Sequence, residues 1–136
     1  MKNLTLLLLL TSLLISCSES IDNYVSPDPI HGHWQLSQII INNRDVTNTC
    51  FTKATVNFNS DKTLSSEFYG SVRGSCTSAG AKNGTWKNEN NTYSIDFNED
   101  FQQTVTAVSF LDNYTKLSIT IEVGTNTVVV YTFTKI

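Results

Sequence analysis

The chain has no cluster of basic residues, no stretch of sustained helical period, no Cys-X-X-Cys pair and only two prolines. Each absence narrows the field. Nine Lys and Arg stand against twelve Asp and Glu, and apart from Lys2 the cations are scattered from Arg44 to Lys135, whereas a phosphate-binding surface needs them gathered. Nucleic acid is therefore not expected as a partner. The missing Cys-X-X-Cys argues against a dithiol redox site. Strong helix formers are few, while Thr, Ser, Asn, Val, Ile and aromatics dominate, which is a β composition. Both prolines, Pro27 and Pro29, fall in the polar, aperiodic segment 18–29, which reads as a linker.

The N-terminus carries a short positive start, Met1-Lys2, then a Leu-rich run from Leu4 to Ile15 that is short for a permanent membrane span. Its closing tetrad, Leu14-Ile15-Ser16-Cys17, resembles a bacterial lipobox, with a branched residue three before the cysteine and a small residue directly before it. The resemblance implies a signal peptide over 1–16, diacylation of Cys17, a tether over 17–29 and the membrane as a partner reached through lipid. Two acyl chains suffice for stable anchoring, because each buried CH₂ contributes about 0.8 kcal/mol. Ser18 stands where an inner-membrane-retained lipoprotein carries Asp, so the expected address is the outer membrane of a cell envelope, on its periplasmic or surface face. Three cysteines is an odd number for an exported chain. Assigning Cys17 to lipid leaves Cys50 and Cys76 as a pair in an oxidising compartment, where a structural disulfide is expected.

Of the 136 residues, the first 16 belong to that signal and 120 remain, enough for one core and one domain, over 30–136. Apolar and polar residues alternate at Tyr93-Ile95-Phe97, at Leu117-Ile119-Ile121-Val123 and at Val129-Tyr131-Phe133, the pattern of half-buried strands. Shorter alternations mark Val56 with Phe58 and Val105 with Ala107, a first strand runs from Trp34 to Ile41, and weaker strands fall at Leu64–Tyr69 and Gly84–Lys87. Asn59-Ser60-Asp61-Lys62, Asn88-Glu89-Asn90-Asn91, Asp112-Asn113-Tyr114 and Gly124-Thr125-Asn126 supply the turns. About eight strands joined by short connections predict an all-β, single antiparallel up-and-down barrel, with a β-sandwich as the alternative.

The segment Gly32-His33-Trp34 before the first strand resembles the opening motif of the lipocalins. Together with Gly84-Thr85-Trp86, the turn Phe58–Thr63 and the cysteine pair, it resembles the small lipocalin-like lipoproteins of Bacteroidota across most of 30–136. The resemblance implies that Gly32 and Trp34 close one end of the barrel, and that a small apolar ligand is held in its cavity. Lipocalins stack an arginine from the last strand over this tryptophan. Here no arginine follows Arg73, and Lys135 is the cation that could take its place.

On the inward faces, a cavity is expected to be lined by Val56, Phe58, Tyr93, Ile95, Phe97, Leu117, Ile119, Tyr131 and Phe133. The alternative is that these side chains fill the barrel and leave a structural or protein-interaction module of the envelope, its protein partner unidentified. His31 and His33 straddle Gly32, but no third ligand is near in sequence, so no metal and no cofactor are expected. Asp96, Glu99 and Asp100 read as a solvated loop, and no nucleophile motif accompanies them, so the chain is not expected to be an enzyme.

Overall fold

The computed structural model describes residues 27–98 and 103–136. Cys17 and the rest of the anchor segment lie outside the described residues, as do Glu99 and Asp100. The strands are β1 (Gly32–Ile41), β2 (Arg44–Asp45), β3 (Thr55–Phe58), β4 (Thr63–Val72), β5 (Ser75–Glu89), β6 (Thr92–Asp96), β7 (Gln103–Leu111), β8 (Lys116–Val123) and β9 (Thr127–Lys135). Among the described residues one 3-10 turn, Phe51–Lys53, precedes β3.

All pairings are antiparallel, in the order β6-β5-β4-β3-β1-β9-β8-β7, with the two-residue β2 hanging from the end of β1. This is an up-and-down barrel. The first and last long strands meet along β1 and β9, and the seam falls between β6 and β7, where the described residues form no ladder. Rings bridge the seam instead: Tyr93 of β6 and Phe110 of β7 pack edge to face with centroids 5.5 Å apart.

Turn chemistry follows the sequence closely. Asn90 and Asn91 both take positive φ between β5 and β6, as do Asn42 and Asn43 between β1 and β2, the conformation that two-residue hairpins require and asparagine tolerates. At Asn59–Lys62 the Asp61 carboxylate accepts from the Thr63 amide at 3.0 Å and from its hydroxyl at 2.6 Å.

Three β-bulges alter the inward–outward phase. In β1, Trp34 and Leu36 face inward, the register shifts at Ser37, and Ile39 becomes the next inward residue. The Ser37 hydroxyl donates to the Thr132 carbonyl at 2.9 Å, occupying the bulge. In β7 the shift at Thr106 leaves Val105, Val108 and Phe110 against the core and turns Ala107 outward. The expected pairing of Val105 with Ala107 on one face is thereby corrected, since an extra residue inverts every later position. A third shift sets Phe68 of β4 opposite Ala79 and Gly80 of β5. The weak strands at 64–69 and 84–87 are also much longer than their patterns suggest, because β5 pairs with β4 through its first part and with β6 through its last.

One end of the barrel is solid. Trp34, Phe58 and Trp86 are buried there with Ile30, Leu64 and Leu117, and Phe58 meets Trp86 edge to face at 6.2 Å. Both Gly-X-Trp motifs are built alike. The Trp34 indole donates to the Ile30 carbonyl at 2.7 Å and the Trp86 indole to the Asn59 carbonyl at 3.0 Å. Lys135 lies 5.0 Å over the Trp34 ring and Lys62 lies 3.7 Å over the Trp86 ring. Gly32, at φ +124°, keeps the path of Lys135 clear, and a Cβ on Gly84 would overlap the Asp96 carbonyl oxygen across the β5–β6 ladder. Gly84→Ala is expected to destabilise the domain by about 3 kcal/mol, whereas Gly70→Ala, with open space around it, serves as a near-neutral control. Urea unfolding of both variants measures the difference, and equal midpoints would remove the close-approach role of Gly84.

Candidate functional site

The packing stops partway along the barrel. Beyond Leu36 the interior opens into a cavity of about 370 Å³, within the size range of small-molecule sites. Leu36, Ile39 and Ile41 of β1 form one wall, continued by Ile121 of β8 and by Tyr131 and Phe133 of β9. Phe68 and Tyr69 of β4, Ala79 and Lys82 of β5, and Phe97 after β6 form the opposite wall. Phe68 holds two of these surfaces together, with edge-to-face contacts to Phe97 at 6.1 Å and Tyr131 at 6.0 Å.

The rest of the lining comes from the connection between β2 and β3, through Val46, Phe51 and Ala54. Local chemistry shapes that segment. The Asn48 side chain accepts from the amides of Cys50 at 2.9 Å and Phe51 at 3.0 Å, starting the 3-10 turn, and the Thr47 hydroxyl accepts from the Ile39 amide at 2.9 Å. Cys50 and Cys76 are joined, with Cα atoms 5.2 Å apart. Cys76 lies within β5, opposite Ser71 of β4. The bridge therefore fastens the β2–β3 connection to the outer end of the β4–β5 hairpin, beside the mouth, and chain entropy alone gives it about 3.5 kcal/mol.

Of the nine residues expected to line a cavity, Phe97, Tyr131 and Phe133 do so. The structure places Val56, Phe58, Leu117 and Ile119 instead in the packed half, each fully buried, and Ile95 beside them. Inward alternation identifies a face of a strand but not the depth at which packing ends. Ile121 continues the face of Leu117 and Ile119, so its place in the lining was legible. The contributions of Val46, Phe51 and Ala54 depend on a connection with no strand pattern. Gly32 and Trp34 lie in the closed end as described above.

Tyr93 has a different setting. Its hydroxyl donates to Asp28 at 2.6 Å, Asn88 donates to the other carboxylate oxygen at 2.8 Å, and the Ile30 amide approaches at 3.2 Å. Asp28, in the segment read as linker, is thus bonded to the outside of the closed end. Partial burial disfavours its charged form, but the hydrogen bonds from Tyr93, Asn88 and Ile30, with the nearby charge of Lys62, outweigh it and hold the carboxyl below its ordinary range. Burial, then the Asp28 carboxylate, pushes the Tyr93 phenol well above its usual value. His31 and His33 join no group of three or more metal-ligating side chains among the described residues.

A meander closed but for the β6–β7 seam, plugged by tryptophan at one end and hollow at the other, defines a calyx-type β-barrel. The chain belongs to the lipocalin-like domain family, whose model matches residues 30–119. Residues 120–136 complete β8 and supply β9, including Lys135. Among solved structures, the odorant-binding protein from bovine nasal mucosa is similar in fold, with a TM-score of 0.52 and 19% identity, over 79% of this chain and 72% of that one. No curated protein matches the sequence significantly.

Because the folded-state carboxyl of Asp28 is more acidic than its unfolded counterpart, its contribution to stability is present above the unfolded value of about 4 and is lost as pH falls through the folded value. Asp28→Asn is expected to lower stability at neutral pH and to shrink the loss of stability on acidification. Urea titrations of both proteins, repeated from neutral pH down through the acid range, test this. An unchanged pH dependence would assign the acid sensitivity to other groups.

Proposed function

We infer that the protein is a lipid-anchored binding module of the cell envelope, which takes a small apolar molecule into the open half of its barrel. The observation that carries the binding reading is the cavity, lined almost wholly by aliphatic and aromatic side chains. A barrel filled along its length, the alternative reading, would leave no such space. Apolar ligands enter such sites because they leave water, at about 25 cal/mol for each Å² buried. Binding, with no bond made or broken, is the whole of the proposed activity.

The anchor rests on the sequence: the Leu-rich run, the tetrad ending in Cys17, and the odd cysteine left once Cys50 and Cys76 are joined. The chain enters the barrel at the closed end, where Ile30 is buried and Asp28 is bonded. An anchor at Cys17 would therefore lead to the plugged end and leave the mouth at the far end accessible to solute. Outer membrane is the proposed address, from Ser18 following the cysteine.

Titration of the purified full chain with an apolar fluorophore such as N-phenyl-1-naphthylamine is expected to show saturable enhancement at one site. Ala54→Leu, which pushes a larger side chain into the cavity from a buried lining position, is expected to weaken that binding at least tenfold with an unchanged far-ultraviolet CD spectrum. Absence of saturable binding in the parent protein would return the filled-module reading. For the anchor, metabolic labelling with a palmitate analogue is expected to mark the protein and to vanish in Cys17→Ala. Label persisting in that variant would refute lipidation at Cys17.

A further inference from the structure

The outer part of the β4–β5 hairpin is held differently from the rest of the barrel. β3 flanks β4 only as far as Glu67, and β6 flanks β5 only from Thr85 onward. Among the described residues, 69–82 therefore form a two-stranded ribbon with no strand on either side, an arrangement that is marginal without further support. Residues 71–81 are all exposed. Ser78 donates to Glu67 at 2.7 Å and the Gly80 amide to Ser78 at 2.9 Å, both bonds lying inside the hairpin. The base of the ribbon is at Phe68, whose ring is seated against Phe97 and Tyr131, opposite the bulge that contains Gly80 at φ +87°. Tyr69, Ala79 and Lys82 of this ribbon nevertheless line the cavity.

The covalent link that holds the ribbon to the facing wall is the Cys50–Cys76 bridge, and its two ends are unlike. Cys50 is 6% exposed, its amide is bonded to Asn48 and its carbonyl to the Lys53 amide, and it precedes Phe51 and Ala54 of the lining. Cys76 is exposed and belongs to the ribbon. Which sulfur a thiolate attacks is set largely by access.

We propose that Cys76 is a thiol-exchange site, and that exchange there unlatches the β4–β5 ribbon and opens one wall of the cavity. The thiolate of a small dithiol attacks Cys76 Sγ in line with the bridge. The bond to Cys50 Sγ breaks, and its electron pair leaves on Cys50, which takes up a proton. The second thiol of the reagent then attacks its own sulfur in the mixed disulfide, closing a cyclic disulfide and releasing Cys76 as a thiol. Two electrons and two protons pass to the bridge and the dithiol is oxidised. Cys50 stays in place through its backbone bonds, while the ribbon swings about Phe68 and Gly80. Faster exit of a bound molecule follows from this and rests on the small-ligand reading above; release of the ribbon does not.

The experiment is peptide-resolved hydrogen–deuterium exchange of the purified full chain with and without dithiothreitol. Amides of 69–82 are expected to exchange roughly tenfold faster or more in the reduced protein, with β1, β8 and β9 still protected and the original pattern restored on reoxidation. Cys50→Ala combined with Cys76→Ala is expected to reproduce the reduced pattern without any dithiol. Limiting glutathione followed by iodoacetamide is expected to leave glutathione on Cys76 and the alkyl group on Cys50. Loss of protection in every strand on reduction would make the bridge a staple of the whole fold and overturn the latch, as would an unchanged ribbon. Glutathione found on Cys50 would overturn attack at Cys76. N-phenyl-1-naphthylamine is expected to dissociate faster from the reduced form, and equal rates would overturn the coupling to the cavity. If the fluorophore binds neither form, the small-ligand reading fails, and the exchange pattern still decides the latch.

Discussion

The burial of Trp34 and Trp86 side by side with Phe58 at one end of the barrel is the contact on which the other features depend. Two indoles present large apolar areas, yet each carries an N–H that must find an acceptor when buried. Both find backbone carbonyls just outside the barrel, Ile30 for Trp34 and Asn59 for Trp86. Those bonds draw the incoming chain and the β3–β4 turn over the end and seal it. Glycines at 32 and 84 make room for this closure, and Lys135 and Lys62 cover the outer ring faces with their cations. The lysine over Trp34 comes from the last strand, so the plug also binds the two ends of the domain together along β1 and β9.

A plug at one end leaves the other to be resolved differently. The bulges at Ser37, at Phe68 opposite Ala79-Gly80 and at Thr106 all lie beside residues that line the cavity or pair with them. A bulge increases twist and re-aims the residues beyond it. At this level the barrel stops being filled by its own side chains. The β2–β3 connection, ordered by Asn48 and bridged from Cys50 to Cys76, then supplies the missing wall. The hollow half is stabilised from its rim, by a covalent link and side-chain hydrogen bonds, while the solid half is stabilised from its centre.

The charged groups divide between the two ends in the same way. Asp28, Asn88 and Tyr93 form a hydrogen-bonded cluster at the plugged end, where Asp28 is held ionised and Tyr93 protonated. Around the cavity the polar side chains among the described lining residues are Lys82, Tyr69 and Tyr131. The first arrangement fixes how the chain enters the domain.

Alternation with period two and explicit turn residues determined by themselves that this chain is an antiparallel β-meander, because strand faces and tight turns are local properties of a few residues. The Gly32-His33-Trp34 segment likewise marked the closed end, and the even cysteine pair marked the bridge. What only the tertiary structure decided is the depth at which Val56, Phe58, Leu117 and Ile119 finish packing and Leu36, Ile39 and Phe68 begin to line a space. That boundary depends on the twist and tilt of the closed barrel, on bulges that invert a strand's phase without a mark in its composition, and on a patternless connection brought to the mouth by a distant cysteine. None of these is a property of one strand. All arise from how eight strands close on one another.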